Sequence, residues 1–455
     1  MIFRSRFVRQ DISETVFSPA LPIFILLYGI VILFAITYYM GVLWHRIYTI
    51  SFYVLTIALG AIFVARNFQK KIPTLNRIDI TFLTFFVYLL ISISTHWWEG
   101  SIKQLQMMPF FLFAPYVLGR VMSVKDIIIL RSLLAYAGPL LLILIFPEYS
   151  RYMHNRYEYS DVPYPLLFGK NIGVMMSGLL MASSLMSITS ILLTQRASTD
   201  GQSLILRWER FFLYLIMLAL LATMIWLGSR GPLLITIVGM GVNLQLTPAI
   251  SWVRKSEIIF VVALAISISF FSMEKNANKH YLTLLQPPQV LLEQTVNRSI
   301  SDKPNQSESL VRDNSSCGRV ADSVSERWSL IQEAIHIIKE KPLSGVGANQ
   351  FGFYSCAGPG AFPHNIFLHV FSELGAIVGA LYCYLLWITI TVPKRLVRSM
   401  QKNGTVSLGC WLTSFSIMQI LFALISGDYF ISAPVYFLIG LAASMMDLNS
   451  ISKNH

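Results

Sequence analysis

Two arginines and one histidine carry the chemistry this sequence offers. Arg230 stands in Gly228-Ser229-Arg230-Gly231-Pro232, between two apolar runs with almost no connection between them. Arg327 opens a charged and apolar stretch that runs to Lys339, and His364 stands in Pro363-His364-Asn365 at the entry to a long apolar run. A guanidinium offers phosphate a fixed fork of donors, and a helix start adds a positive dipole end. An imidazole titrates near neutrality and serves as general acid or base, or as a phosphate contact. Each also has a plainer reading. Arg230 is a snorkelling arginine, Arg327 a surface arginine whose charge opposes the helix dipole unless Glu326 or a ligand offsets it, and His364 a structural hydrogen-bonding residue. The residues taken alone leave both readings open.

Supporting residues lie nearby in the chain. Pro147 to Asn171 is rich in tyrosine and carries Arg151, His154, Arg156, Lys170 and Asn171. Gly345 and Gly347 form a tight turn in Ser344-Gly345-Val346-Gly347, where glycine permits backbone angles and approaches that a side chain forbids. Asn365 is placed to cap the helix that follows. His369 and Glu373 are four apart and share a helix face, which makes them a buried polar pair. Glu373 lies about 13 Å beyond His364 by helix rise, too deep to be its simple partner unless the helix is broken. There is no Asp-x-Asp, no Walker loop, no Gly-x-Ser-x-Gly elbow and no Cys/His spacing for a metal. An enzyme built from these residues uses arginines rather than a divalent cation on a phosphate leaving group.

The elements that position these residues follow from periodicity and hydropathy. Trp328, Ile331, Ile335 and Ile338 recur at helical spacing, so 325–340 reads as an amphipathic helix with that apolar face, stopped by Pro342. The whole chain has 455 residues, is 55% hydrophobic and 13% charged, and has a mean hydropathy of +0.60, the balance of a polytopic membrane protein. Twelve spans are expected, at 20–40, 47–65, 78–95, 104–122, 128–146, 171–194, 211–228, 232–250, 257–273, 364–390, 407–426 and 430–447. The first is long enough to be an anchor and lacks a small-residue cleavage site. Arg131 and Pro139 interrupt the fifth.

The net charge of +12 sits at the ends of apolar runs, where the positive-inside rule puts it, so nucleic acid is not an expected partner and the lipid bilayer is. Basic residues crowd one set of connections, including Arg66 to Arg77, then Arg120, Lys125 and Arg131, then Lys394 to Lys402. The bias puts both termini in the cytoplasm. Three segments result: 1–273 with nine membrane helices, 274–363 as a large outer loop holding the amphipathic helix, and 364–455 with three more helices and a cytoplasmic tail. Asn297 to Ser323 reads as a polar excursion from the packed part of that loop. Cys383 and Cys410 are packing residues in membrane helices. Cys317 and Cys356 share the outer loop, where they pair or remain free.

These residues resemble a known family, the O-antigen ligase and O-antigen polymerase superfamily of bacterial envelope glycan assembly. The resemblance runs from about Phe168 to Gly440. It rests on Gly169-Lys170-Asn171 before an apolar run, on the Ser229-Arg230-Gly231 turn, on Arg327-Trp328 with Ala334, Pro342, Gly345, Gly347 and Phe351, and on His364-Asn365 followed by Gly375. Two positions depart from the ligase pattern: Ile331 stands where it has leucine, and Val378 where it has a small residue or tyrosine.

The resemblance implies an all-α, GT-C-like membrane bundle and a glycosyltransferase of lipopolysaccharide biosynthesis that needs neither cofactor nor metal. It implies a site on the periplasmic side of a bacterial inner membrane and a glycan donor on undecaprenyl diphosphate. The acceptor is lipid A–core for a ligase, or a lipid-linked glycan for a polymerase. By the same resemblance Arg230 and Arg327 bind the diphosphate, and His364 activates the acceptor or positions the diphosphate. A protein O-glycosyltransferase shares the chemistry. A transporter or flippase is the reading from another class, and it predicts essential charges spread through the bilayer depth rather than gathered on one side.

Overall fold

A computed structural model describes residues 75–97, 99–156, 172–194, 204–226, 230–247, 252–272, 323–355, 361–399, 406–429 and 432–453, together with Phe24 and Gly358. The described elements are helices α1 (Arg77–Thr95), α2 (Glu99–Met108), α3 (Ala114–Val121), α4 (Val124–Arg156), α5 (Ile172–Thr194), α6 (Leu204–Trp226), α7 (Arg230–Leu246), α8 (Trp252–Ser272), α9 (Ser323–Glu340), α10 (Phe351–Tyr354), α11 (Ile366–Ser399), α12 (Val406–Ser426) and α13 (Ala433–Lys453). Six of them contain stretches long and apolar enough to cross a bilayer: Arg77–Thr95, Val124–Ile143, Ser177–Thr194, Trp208–Ile225, Ile366–Arg395 and Leu408–Ile425. Gly231–Leu246 and Ala433–Asp447 are shorter apolar helices. The protein is a multi-pass, helical membrane protein.

Two helix groups share one core. In the first, α11 packs on α12, α13 and α1, and α13 lies along α3. Small residues allow that last approach: a side chain on Gly119 would meet the backbone of Phe437 and Leu441, and one on Gly440 the backbone of Tyr116 and Arg120. Phe82 stacks on Tyr116 at 3.7 Å, and Phe85 packs on Tyr382 at 5.3 Å, which ties α1 to α3 and α11. In the second group α5 is central, touching α4, α7, α12 and α6, and α6 packs on α8.

Polar groups lock the end of the first group where α1 begins. Asn76 caps α1, accepting from the Ile78 and Asp79 amides at 3.0 and 3.2 Å, while Asp79 accepts from the Asn76 amide at 2.8 Å. Asp79 also accepts from the Tyr116 hydroxyl and from Arg120 Nε at 2.8 Å. Arg120 reaches Asp447 at 2.6 Å, and the Asn76 amide group donates to Asp447 and to the Ala443 carbonyl, both at 3.0 Å. Three helices thus meet on one buried arginine.

Several expectations are revised. The stretch 104–122 is not one uniform helix but α2, a π-helical turn at Pro109–Phe113 and α3, with a proline opening each of the last two pieces. The fifth span continues unbroken through Arg131 and Pro139, and α4 takes in Pro147 to Arg156, which the sequence placed in an outer connection. Arg120 and Arg131, assigned above to a cytoplasmic connection, are buried inside helices. The first two expected spans fall outside the described residues except for Phe24, as do 273–322, Cys317 and Cys356. Cys383 and Cys410 lie in α11 and α12 as free thiols.

Arg120→Leu leaves the Asp79 and Asp447 carboxylates facing each other with no cation between them. A loss of roughly 3–5 kcal/mol is expected, read as a lower unfolding temperature of the detergent-solubilised protein.

Candidate functional site

The segment from α9 to α11 is held together by its own backbone. α9 ends at Glu340 ahead of Pro342, and the Gly345 amide closes the turn on the Lys341 carbonyl at 3.0 Å. The chain then runs beside α11 and pairs with it: the Val346 amide donates to the Ser372 carbonyl at 3.0 Å, and the Gly347 amide to the Glu373 carbonyl at 2.8 Å. The Ala376 amide returns a bond to the Pro342 carbonyl at 2.8 Å. Those carbonyls are free because α11 is interrupted at Gly375, whose φ of 76° and ψ of 178° belong to a region essentially reserved for glycine. A side chain on Gly375 would run into the Leu343 backbone, and one on Gly345 into the Glu373 backbone. The glycines of the turn therefore serve a close crossing of two chain segments, and the Val346 and Gly347 amides are already used.

Glu373 fills the cradle that the turn creates. It is 1% exposed. Its carboxylate accepts from the Asn349 amide at 2.6 Å, from the Phe351 amide at 2.9 Å and from the Tyr429 hydroxyl. His369 lies between two carboxylates, with Nε2 3.3 Å from Glu373 and Nδ1 3.5 Å from Asp428. The pair expected from the i, i+4 spacing is present, and it extends to the connection between α12 and α13. That connection is tied down again by the Tyr436 hydroxyl on the Tyr429 carbonyl at 2.6 Å.

α1 closes another side. Ser92 Oγ accepts from the Ala348 amide at 2.9 Å, and the Gln350 side chain donates to the His96 carbonyl at 2.9 Å. Gly347 sits against the His96 ring, where a Cβ would collide. Sequence reading missed Ser92, His96, Asp428 and Tyr429. Only the polarity of His96 and Asp428 at the ends of apolar runs could have flagged them.

His364 stands at the rim of this assembly. Its backbone has a φ of 52°, an uncommon and strained value for a residue with a side chain. Asn365 accepts from the Phe367 and Leu368 amides, both at 3.1 Å, and so caps α11. The ring packs on Phe362 at 4.3 Å, and Phe362 in turn stacks on His369 at 5.7 Å. The Nδ1 atom of His364 is buried and has no hydrogen-bond partner. Burial first, then the charges of Arg327 and His369, lower its pKa to about 4. The imidazole is therefore neutral at pH 7.

Arg327 lies exposed in the first turns of α9, close enough to act on His364 through its charge. Arg230 is the first residue of α7. Its neighbour Gly231 faces Ile425 of α12, three residues before Asp428, so the Arg230 backbone opens at the same end of the bundle. Arg151 and Arg156 end α4, and only their backbone is described. Lys170 and Asn171 lie outside the described residues. The apolar face of α9 is also revised: Leu330, Ala334 and Ile337 are buried against the turn, whereas Trp328 and Ile335 are 54% and 40% exposed. Among the described residues, no group of three or more His, Cys, Asp or Glu could hold a metal ion.

Glu373→Ala leaves the buried Phe351 amide without an acceptor, at about 1–3 kcal/mol, and the half-buried Asn349 amide at less. Faster hydrogen exchange is expected over 345–351, with α4 and α5 unchanged. Gly375→Ala adds backbone strain of about 1–3 kcal/mol and is expected to open the same segment.

Residues 215–383 match the family described as O-antigen ligase. No curated protein matches the chain. The matched span runs from α6 into α11 and includes Arg230, Arg327, His364, Glu373 and Gly375. Residues 215–383, a little over a third of the chain, are thus similar to the O-antigen ligase family, in keeping with the resemblance to the O-antigen ligase/polymerase superfamily.

Proposed function

We propose that this protein transfers a glycan from undecaprenyl diphosphate to lipid A–core at the periplasmic face of the inner membrane, as an O-antigen ligase. The observation that carries the reading is His364: an imidazole kept neutral by burial and by Arg327, with an unpartnered nitrogen. A base must be unprotonated when the acceptor arrives, and a low pKa secures that at the cost of a weaker pull on the proton. The family match supports the reaction class.

In the proposed step the acceptor oxygen bonds to the anomeric carbon of the donor, and its proton passes to His364. The bond from that carbon to the diphosphate oxygen breaks, and its electron pair leaves with the diphosphate. Arg230 and Arg327 bind the departing charge, which needs donors and cations rather than covalent help. Arg151 and Arg156, in the last turns of α4, add positive charge for the glycan diphosphate, a supporting role that the resemblance also gives to Lys170 and Asn171. Gly345, Gly347 and Asn365 act by holding α9 and α11 in register, with Glu373 as the anchor.

The test supplies purified protein in nanodiscs, in EDTA, with an undecaprenyl-diphosphate oligosaccharide and either lipid A–core or further lipid-linked units. Glycan on lipid A–core is the expected product. A ladder of longer lipid-linked products identifies a polymerase instead, and no carrier release with any acceptor sinks the enzymatic reading. His364→Ala is expected to lower turnover by about 10²–10⁴-fold. His364→Gly, which relieves the positive φ, should lose the same activity without losing stability.

The pH dependence follows from the direction of the shift. His364 sits below the ordinary imidazole value of about 6.5, so turnover that depends on its free base is flat from neutrality downward and falls only as pH approaches 4. The same shift destabilises the fold in acid: below the unfolded value the unfolded chain takes up the proton first, and stability declines toward the folded value. A pH–rate profile breaking near 6.5 would contradict this environment for the imidazole.

A further inference from the structure

Arg131 lies seven residues into α4, about 10 Å from its start, at the opposite end of the bundle from His364. It is 6% exposed. Its recorded hydrogen bond is a long one, 3.4 Å, from one terminal nitrogen to Ser190 Oγ of α5, and its Nε is buried without a partner. The buried carboxylates among the described residues are Asp79 and Glu373, and both are bound elsewhere. A buried guanidinium with no counter-charge in a membrane bundle costs several kcal/mol, which favours an anion beside it.

The neighbouring helices place more donors at the same level. Gly239 of α7 faces Met186 of α5 and Met418 of α12. One helical turn from that contact, on the same faces, stand Ser190 on α5, Asn243 on α7 and Ser414 on α12. All three are buried, and neither Asn243 Nδ2 nor Ser414 Oγ has a partner. Arg131 meets this layer through Ser190. The layer is rich in N–H and O–H donors and holds no carboxylate among the described residues. Buried polar atoms are nearly always satisfied in folded proteins, so a donor-rich layer with three orphaned atoms needs an occupant that accepts.

We propose that Arg131, with Ser190, Asn243 and Ser414, forms an oxyanion site for a phosphate group, separate from the candidate glycosyl-transfer site. The guanidinium fork suits an oxyanion with two oxygens facing it, and the hydroxyl and amide groups complete its shell. Free phosphate and the phosphate of a lipid headgroup share this chemistry.

The full-length protein is purified in detergent with a weakly coordinating salt, and its unfolding temperature is followed as inorganic phosphate or phosphatidylglycerol is added. Ligand binding to the folded state raises that temperature. A rise with both probes, lost in Arg131→Met, is expected for a phosphate site open to either source. A rise with phosphatidylglycerol alone, lost in the same variant, assigns the site to a headgroup. Ser190→Ala removes one charged hydrogen bond and should weaken the apparent affinity about tenfold, which keeps the test alive should Arg131→Met fail to fold. Equal responses of the wild type and both variants, or no response of the wild type to either probe, overturn the proposal.

Discussion

The carboxylate of Glu373 is the group on which the candidate site depends. It sits 1% exposed inside a bundle of apolar helices, where an unmatched charge would cost several kcal/mol. Two amides from the turn after α9 and the hydroxyl of Tyr429 satisfy it, with the His369 imidazole alongside. These groups come from three parts of the chain: the 349–351 segment, the connection between α12 and α13, and α11 itself. Ordering them around one acceptor fixes α9, α11 and the connection between α12 and α13 relative to one another. The break at Gly375 frees the carbonyls of Ser372 and Glu373 for the same turn, so the backbone and the side chain of Glu373 hold the same segment.

The rest of the bundle makes that arrangement rigid. At one end, Arg120 binds two carboxylates from α1 and α13, and the glycines of α3 and α13 let these helices approach to backbone contact. At the other end, α1 contributes Ser92 and the His96 carbonyl to the turn. A helix held at both ends cannot slide without breaking buried polar bonds, so the distance between the two ends is set by its length. The site rests on a frame rather than on a loop.

Within that frame His364 has an environment that follows from position. The capped start of α11 turns its backbone to a φ of 52°, the Phe362 ring covers one side, and positive charges from Arg327 and His369 disfavour its protonation. Arg327 acts on His364 through its charge and the Arg230 backbone begins α7 at the same bundle end, whereas Arg120 and Arg131 are buried toward the other end.

The sequence by itself determined the features with a local cause. Hydropathy runs marked the described membrane helices, the Pro342 stop and the apolar spacing marked α9, Asn365 marked a cap, and the four-residue spacing of His369 and Glu373 marked a buried pair. Family-like motifs around Arg230, Arg327 and His364 pointed to the superfamily that residues 215–383 match. Only the tertiary structure decided which face of α9 is buried, because Leu330, Ala334 and Ile337 win a partner in the glycine turn that Trp328 and Ile335 do not. It alone placed Ser92, Asp428 and Tyr429 beside residues far away in the chain, broke α11 at Gly375, and buried Arg131 against Ser190. The division has one physical reason. Periodicity and capping are set by neighbours within a few residues, whereas a carboxylate's donors and a helix's covered face are set by whatever the fold brings across from elsewhere.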